Sequence, residues 1–211
     1  LGKFNPNFPL LIDPIALRWA TWINSNSSAW GDNTDGHNHG HGIYIDPTDG
    51  AIITVARVDG QTNLITPGAL ETTPNGGIDL IVGKYYEPAA VGGTGVRAWQ
   101  TYIGGASDDN PYALEMDGNG NIFITGQTQS TDFPLTAGTA YGNTGGLDGR
   151  AQSSDNIFVL KLNTAGNSLK AAVIGGNYTD NSYDLRVSST GDIYVCGYTS
   201  SRNLSTQYPS S

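Results

Sequence analysis

Residues Thr101 to Ser130 read TYIGGASDDNPYALEMDGNGNIFITGQTQS. The stretch divides into a strand, a polar loop, a strand, a tight turn and another strand. Short apolar runs bounded by Gly, Asn and Asp clusters are the signature of paired strands. No window of the chain shows helical 3.6-residue spacing over a useful length.

The pieces of this stretch recur. Ile103-Gly104-Gly105 returns 71 residues later as Ile174-Gly175-Gly176. Asp109, Asn110, Tyr112 and Leu114 return at the same shift as Asp180, Asn181, Tyr183 and Leu185. Gly120, Ile122, Gly126 and Thr128 return as Gly191, Ile193, Gly197 and Thr199. Upstream, Asp117 maps to Asp46 at a shift of 71, and Ile122, Thr136 and Gly138 map to Ile52, Thr66 and Gly68 at 70. Trp99, Thr101 and Ile103 map to Trp19, Thr21 and Ile23 at 80, so the first copy is longer.

Composition agrees with an all-β chain. Charged residues make up 14%, Gly numbers 29, and aromatic residues are present at 9%, which is not a disordered composition. The net charge of −9, with only 10 scattered Lys and Arg, argues against nucleic-acid binding, which needs clustered cations. Cys196 stands alone, so no intramolecular disulfide can form; its place in a strand predicts a small buried apolar residue. No run of about 18 apolar residues marks a membrane span. The chain starts at Leu1 without Met or a basic-then-apolar leader, so a processed or trimmed product is expected.

Taken in order, residues 1–16 (LGKFNPNFPLLIDPIA) form an extended lead-in. Leu17 to Ile23 is a strand, Asn24 to Gly42 a polar loop, and Ile43–Asp46 and Ala51–Val58 are strands around a turn. Further runs lie at Ile78–Tyr86, Val96–Ile103, Asn156–Leu162, Leu169–Ile174, Tyr183–Val187 and Asp192–Tyr198. The expected units are 17–98 (repeat 1), 99–169 (repeat 2) and 170–211 (partial repeat 3). Each copy holds about four strands, typified by the last four runs. Four antiparallel strands per unit describe a β-propeller blade, so the predicted fold is all-β with about two and a half repeats of roughly 71 residues. Gly120 and Gly191 supply the positive φ of a hairpin turn, and Gly126 and Gly197 mark bends or close backbone approach.

The order TYIGG, DD/DN, DGNGNIFITGxTxSxDFPLTxG and DNIFVLKLN resembles the SBBP-type β-propeller repeat of bacterial surface and secreted proteins, over about Leu11 to Tyr198. Asp79-Leu-Ile-Val-Gly-Lys84 resembles a second D-x-F-V-x-K element, and PLLIDP (Pro9–Pro14) resembles the junction before the first repeat in that family. Two positions depart from it: Asn24-Ser25 replaces Gly-Gly, and Arg202-Asn203-Leu204 replaces Thr-Asp-Phe. Seven blades, usual for the family, need roughly 500 residues. The expectation is therefore a piece of a longer chain, or blade edges covered by another copy or partner.

Candidate site residues follow from chemistry. His37, His39 and His41 alternate along one face of an extended segment and could hold Zn²⁺, with Asp32 or Asp35 adding oxygen. Against this, they fall opposite Asp108, Asn110 and Tyr112 in the repeat, which form no such cluster. Asp117-Gly-Asn119-Gly-Asn121 has the alternating oxygens of a Ca²⁺ loop without its bidentate Glu, and an Asx-stabilised turn accounts for it equally. Asp108 and Asp109 precede the tyrosine strand, where an acidic pair could contact a ligand or act in acid–base chemistry; recurrence at Asp180 favours a structural role. Trp30, beside the histidines, could stack on a sugar.

The resemblance implies an exported, non-catalytic propeller scaffold at the bacterial cell surface, acting in structural assembly or adhesion. Its partners would be copies of itself, further modules of a longer chain, or a surface glycan. The alternatives are a propeller enzyme acting on extracellular polysaccharide, and a lectin-like glycan-binding module.

Overall fold

The computed structural model describes residues 39–59, 65–89, 95–135, 140–141 and 155–202. It contains eleven strands and, among the described residues, no helix. They are β1 (His39–Ile45), β2 (Ile52–Asp59), β3 (Ile78–Tyr86), β4 (Val96–Ile103), β5 (Asp109–Met116), β6 (Ile122–Thr128), β7 (Ala140–Tyr141), β8 (Asn156–Leu162), β9 (Leu169–Ile174), β10 (Asp180–Val187) and β11 (Ile193–Thr199). No helix is long and apolar enough to cross a membrane.

The strands form three sheets in chain order. β1-β2-β3-β4 make a four-stranded antiparallel meander. β5-β6-β8-β9 repeat it, with the short β7 added in parallel to β9. β10 and β11 form a third, two-stranded sheet. The grouping expected from sequence is therefore shifted by two strands. β8 and β9 close the second sheet, while β10 and β11 open the third. The reason is the connection between them: the Gly-Gly turns at 104–105 and 175–176 carry the chain to a new sheet instead of closing a hairpin. The repeat boundaries at 98/99 and 169/170 fall inside β4 and β9. The lead-in at 1–16 and the strand expected at 17–23 lie outside the described residues.

The sheets stack face to face. Ile53, Val55, Leu80 and Val82 of the first sheet, all fully buried, meet Met116, Ile122, Ile124 and Phe158 of the second. This is the alternation of a half-buried strand carried across two sheets. Phe133 stacks on Phe158 with ring centroids 4.9 Å apart. A smaller cluster of Ala113, Phe123 and Leu185 joins the second sheet to the third. The opening strands lie together: β1 packs on β5 and β5 on β10, as innermost strands do around a propeller axis.

Each opening strand carries a β-bulge at the same place. The register shifts at His41 in β1, at Tyr112 in β5 and at Tyr183 in β10, three positions 71 residues apart. A bulge leaves one residue unpaired and sharpens the local twist. Gly40 to Gly42, expected within a polar loop, are ladder residues of β1. Pairing with Ala56 and Val55 of β2 extends the strand back to His39.

Candidate functional site

At each passage between sheets, one buried carboxylate holds the turn. Asp109 Oδ2 accepts hydrogen bonds from Gly105 N and Ser130 Oγ, both at 2.7 Å. Asp180 Oδ2 accepts from Gly176 N and Ser201 Oγ, both at 2.8 Å. The serines close the circuit: Ser130 Oγ accepts from Ser107 N and Ser201 Oγ from Tyr178 N. Asp109 and Asp180 are fully buried and are the first residues of β5 and β10, so neither lies in an open loop. Asp108, half-buried, accepts from Ile78 N at 3.0 Å and ties the turn to β3.

Glycine is required inside this clasp. A Cβ on Gly104 would lie 1.8 Å from Asp79 Oδ1 and 3.2 Å from Asp109 Oδ2. A Cβ on Gly175 would lie 1.7 Å from Asn156 Oδ1. The side chain entering from the third strand of each sheet therefore fills the space that a larger turn residue would need.

The first clasp concentrates acid. Burial raises Asp79 to about 6 against hydrogen bonds from Asn75 N and Gly76 N, with Asp108 and Asp132 adding repulsion. Burial also raises Asp109 to about 7, opposed by Thr128, Ser130 and Gly105 N, with Asp79 adding to the rise. Glu71 is raised to about 7 by burial and by Asp79, Asp109 and Asp132. Low dielectric and like charge both disfavour the ionised form, which is why the directions agree. Among the described residues, no three His, Cys, Asp or Glu side chains are grouped so as to hold a metal ion.

A second constellation follows the bulges. The His41 ring meets Tyr112 edge-on at 5.8 Å, across the seam between the first two sheets. Arg57 Nη1 donates to Asn110 Oδ1 across the same seam at 2.9 Å. Within the second sheet Tyr112 OH donates to Gln127 Oε1 at 2.9 Å. In the third sheet Asn181 Nδ2 donates to Tyr198 OH at 3.0 Å, and Tyr198 lies 5.8 Å from exposed Tyr183. Aromatic faces flanked by amides can stack on an apolar ring face while hydrogen bonding its rim. Recurrence at 71 residues is visible in the sequence; the bulge that aligns these side chains is not.

The hairpin turns lie at the other end of the opening strands. Asp117 Oδ1 accepts from Asn119 N and Asn121 N at 2.9 Å, and Oδ2 accepts from Asn121 Nδ2 at 2.7 Å. Partial burial opposes its charge, but hydrogen bonds from Asn121 and Asn119 outweigh that and hold Asp117 below the ordinary carboxylate range. Gly120 and Gly191 have φ of +78° and +91°. Gly50 at +71° occupies the corresponding turn of the first sheet.

Trp30 and His37 lie outside the described residues. His39 begins β1 opposite Arg57, and His41 is the bulge residue against Tyr112. Cys196, expected to be buried, is exposed. Its counterpart 71 residues earlier is Thr125, which is fully buried because the third sheet covers it. No described sheet lies over Cys196. Trp99, expected in the core, is half-buried at its edge and donates Nε1–H to Thr164 O at 3.1 Å.

Four-stranded antiparallel sheets, stacked face to face with their opening strands together, define this chain as a β-propeller-type module. Residues 98–134, from β4 through β6 and the segment after it, match the family model of the SBBP beta-propeller repeat. The chain thus carries a repeat of the SBBP type. No curated protein matches it.

Proposed function

We propose that the chain is a non-catalytic β-propeller scaffold of a secreted or cell-surface bacterial protein, acting in structural assembly or adhesion. The duplicated clasp carries this reading. Asp109 and Asp180 make the same hydrogen bonds to the same kinds of partner, one set per sheet passage. A catalytic acid is needed once per site, whereas a structural brace is needed at every passage. The acidic, Lys- and Arg-poor composition is in keeping with export.

Adhesion through a glycan is the second reading, favoured by exposed Tyr183 and Tyr198 beside Asn181. Its ligand would be neutral rather than anionic, given the net charge of −9. The enzyme reading requires an acid that substrate can reach, and Asp79 and Asp109 are both 0% exposed.

The test has two arms. Surface proteolysis of intact source cells, read with an antibody to this chain, should remove it; retention in spheroplasts alone would overturn export. Soluble chain assayed on a panel of neutral and acidic polysaccharides should release no reducing ends. Hydrolysis that disappears in Asp109→Asn, with the circular dichroism spectrum unchanged, would put the enzyme reading first.

A further inference from the structure

The two sheet passages share a clasp but differ in one functional group. Asp79 and Asn156 hold equivalent places. Leu80 pairs with Ile103 and Ile157 with Ile174, so the residue before each enters beside the Gly-Gly turn. Each fills the missing Cβ position there, at 1.8 and 1.7 Å. The second passage thus shows what this geometry accepts: a neutral amide next to a buried aspartate. At the first passage a carboxyl group takes the amide's place. It is 0% exposed, and its Oδ1 has no hydrogen-bond partner.

Everything charged around it is acid. Asp109 borders the same glycine from the start of β5, Asp108 lies beside it, Asp132 follows β6, and Glu71 lies in the loop before β3. No lysine or arginine is among the groups acting on Asp79, Asp109 or Glu71. The second passage lacks this crowding: Thr179, Asn156 and Asn203 stand at the sequence positions of Asp108, Asp79 and Asp132.

We propose that the seam between the first two sheets is a proton-operated clasp. With Asp79 as the neutral acid, the sheets lock as they do at the amide-bearing passage; loss of its proton puts a second buried charge beside Asp109 and loosens them.

The sign follows from linkage. Asp79, Asp109 and Glu71 are raised in the folded chain to about 6, 7 and 7 from values near 4. Between those limits the folded state holds more protons than the unfolded one, so stability falls as pH rises. The contribution is complete below pH about 4 and gone above about 7. The seam is tight in mildly acidic surroundings and relaxed above neutrality.

Thermal melts of the whole chain from pH 4 to 8.5, at constant ionic strength, test this. The wild type should lose several degrees of Tm across the upper half of that range. Asp79→Asn should flatten the loss and raise Tm at pH 8 by about 2–5 °C. The reciprocal Asn156→Asp should build a second acid pair at the other passage and steepen the loss. An unchanged slope in both variants, or a lower Tm for Asp79→Asn at pH 8, would overturn the proposal. Should Asp79→Asn not fold, the Asp79 carboxyl carbon can be titrated by NMR in the wild type. A midpoint above 5 supports the clasp, and one near 4 overturns it.

Discussion

Thr125 Oγ1 lies 3.0 Å from Ser182 Oγ, joining the second sheet to the third across their seam, and 2.8 Å from Phe158 O within its own sheet. Both hydroxyl residues are fully buried. Thr125→Val should cost about 1–2 kcal/mol, because Ser182 keeps only Gly126 O as a partner, at 3.2 Å. Urea unfolding of the variant checks this. A loss below a few tenths of a kcal/mol would mean that shape alone joins the seam.

Cys196 occupies the position of Thr125 in the third sheet and is exposed. In dilute solution one thiol per native chain should react with a maleimide at a rate close to that of the unfolded chain. Protection that grows with protein concentration would show copies seating on this face. Protection independent of concentration would show that the chain itself covers it.

Two glycines that look alike in sequence should behave differently. A Cβ on Gly126 would lie 2.0 Å from Asn110 O and 2.7 Å from the Phe158 ring. Backbone and a packed aromatic cannot both move aside, so Gly126→Ala should cost about 3 kcal/mol or more. Gly191 has open space around its Cβ position, and Ala there meets only the strain of φ +91°, about 1 kcal/mol. Denaturant midpoints of the two variants give the comparison directly.

Replacing Asp180 with Ala strips the partner from buried Gly176 N–H and from Ser201 Oγ. The expected loss is about 2–4 kcal/mol. Asp180→Asn, which keeps an acceptor oxygen, should lose less. Equal losses would show that the negative charge, not the hydrogen-bond geometry, holds the passage.

The pH profile should have a maximum. Asp49 is held at about 2 by its hydrogen bond to Lys84, at 2.9 Å, so the stability it adds is present above pH about 4 and lost as pH falls toward 2. Asp49 is partly exposed, which limits that contribution to about 1 kcal/mol or less. Asp79, Asp109 and Glu71 act in the opposite sense above pH 4. Stability against urea should therefore peak between about pH 4 and 5. A peak above pH 7 would mean that the three acids are ionised in the folded chain.

The strands, the repeat and the turn glycines were legible in the sequence, because they depend on neighbours along the chain. Apolar alternation marks a strand, and Gly120 and Gly191 mark turns whose φ no other residue adopts cheaply. The recurrence of Asp109 as Asp180 also pointed to a brace before either hydrogen bond was seen.

Other features were decided by contacts between residues distant in sequence. Whether β9 pairs with β10 or yields to a new sheet depends on which apolar faces cover one another, and local pattern is the same in both cases. The bulges at His41, Tyr112 and Tyr183 carry no signal of their own, since only a partner strand reveals an unpaired residue. Cys196 and Thr125 share a strand pattern, and only the presence of a covering sheet makes one exposed and the other buried. Asp79 reads in sequence as the first residue of a D-x-F-V-x-K element. Only the fold brings it to Gly104, where burial and Asp109 change its chemistry. The sequence by itself determined the strands and their repeat, through local period and turn chemistry. The tertiary structure decided which groups meet in a medium of low dielectric, and so which carboxyl groups hold their protons.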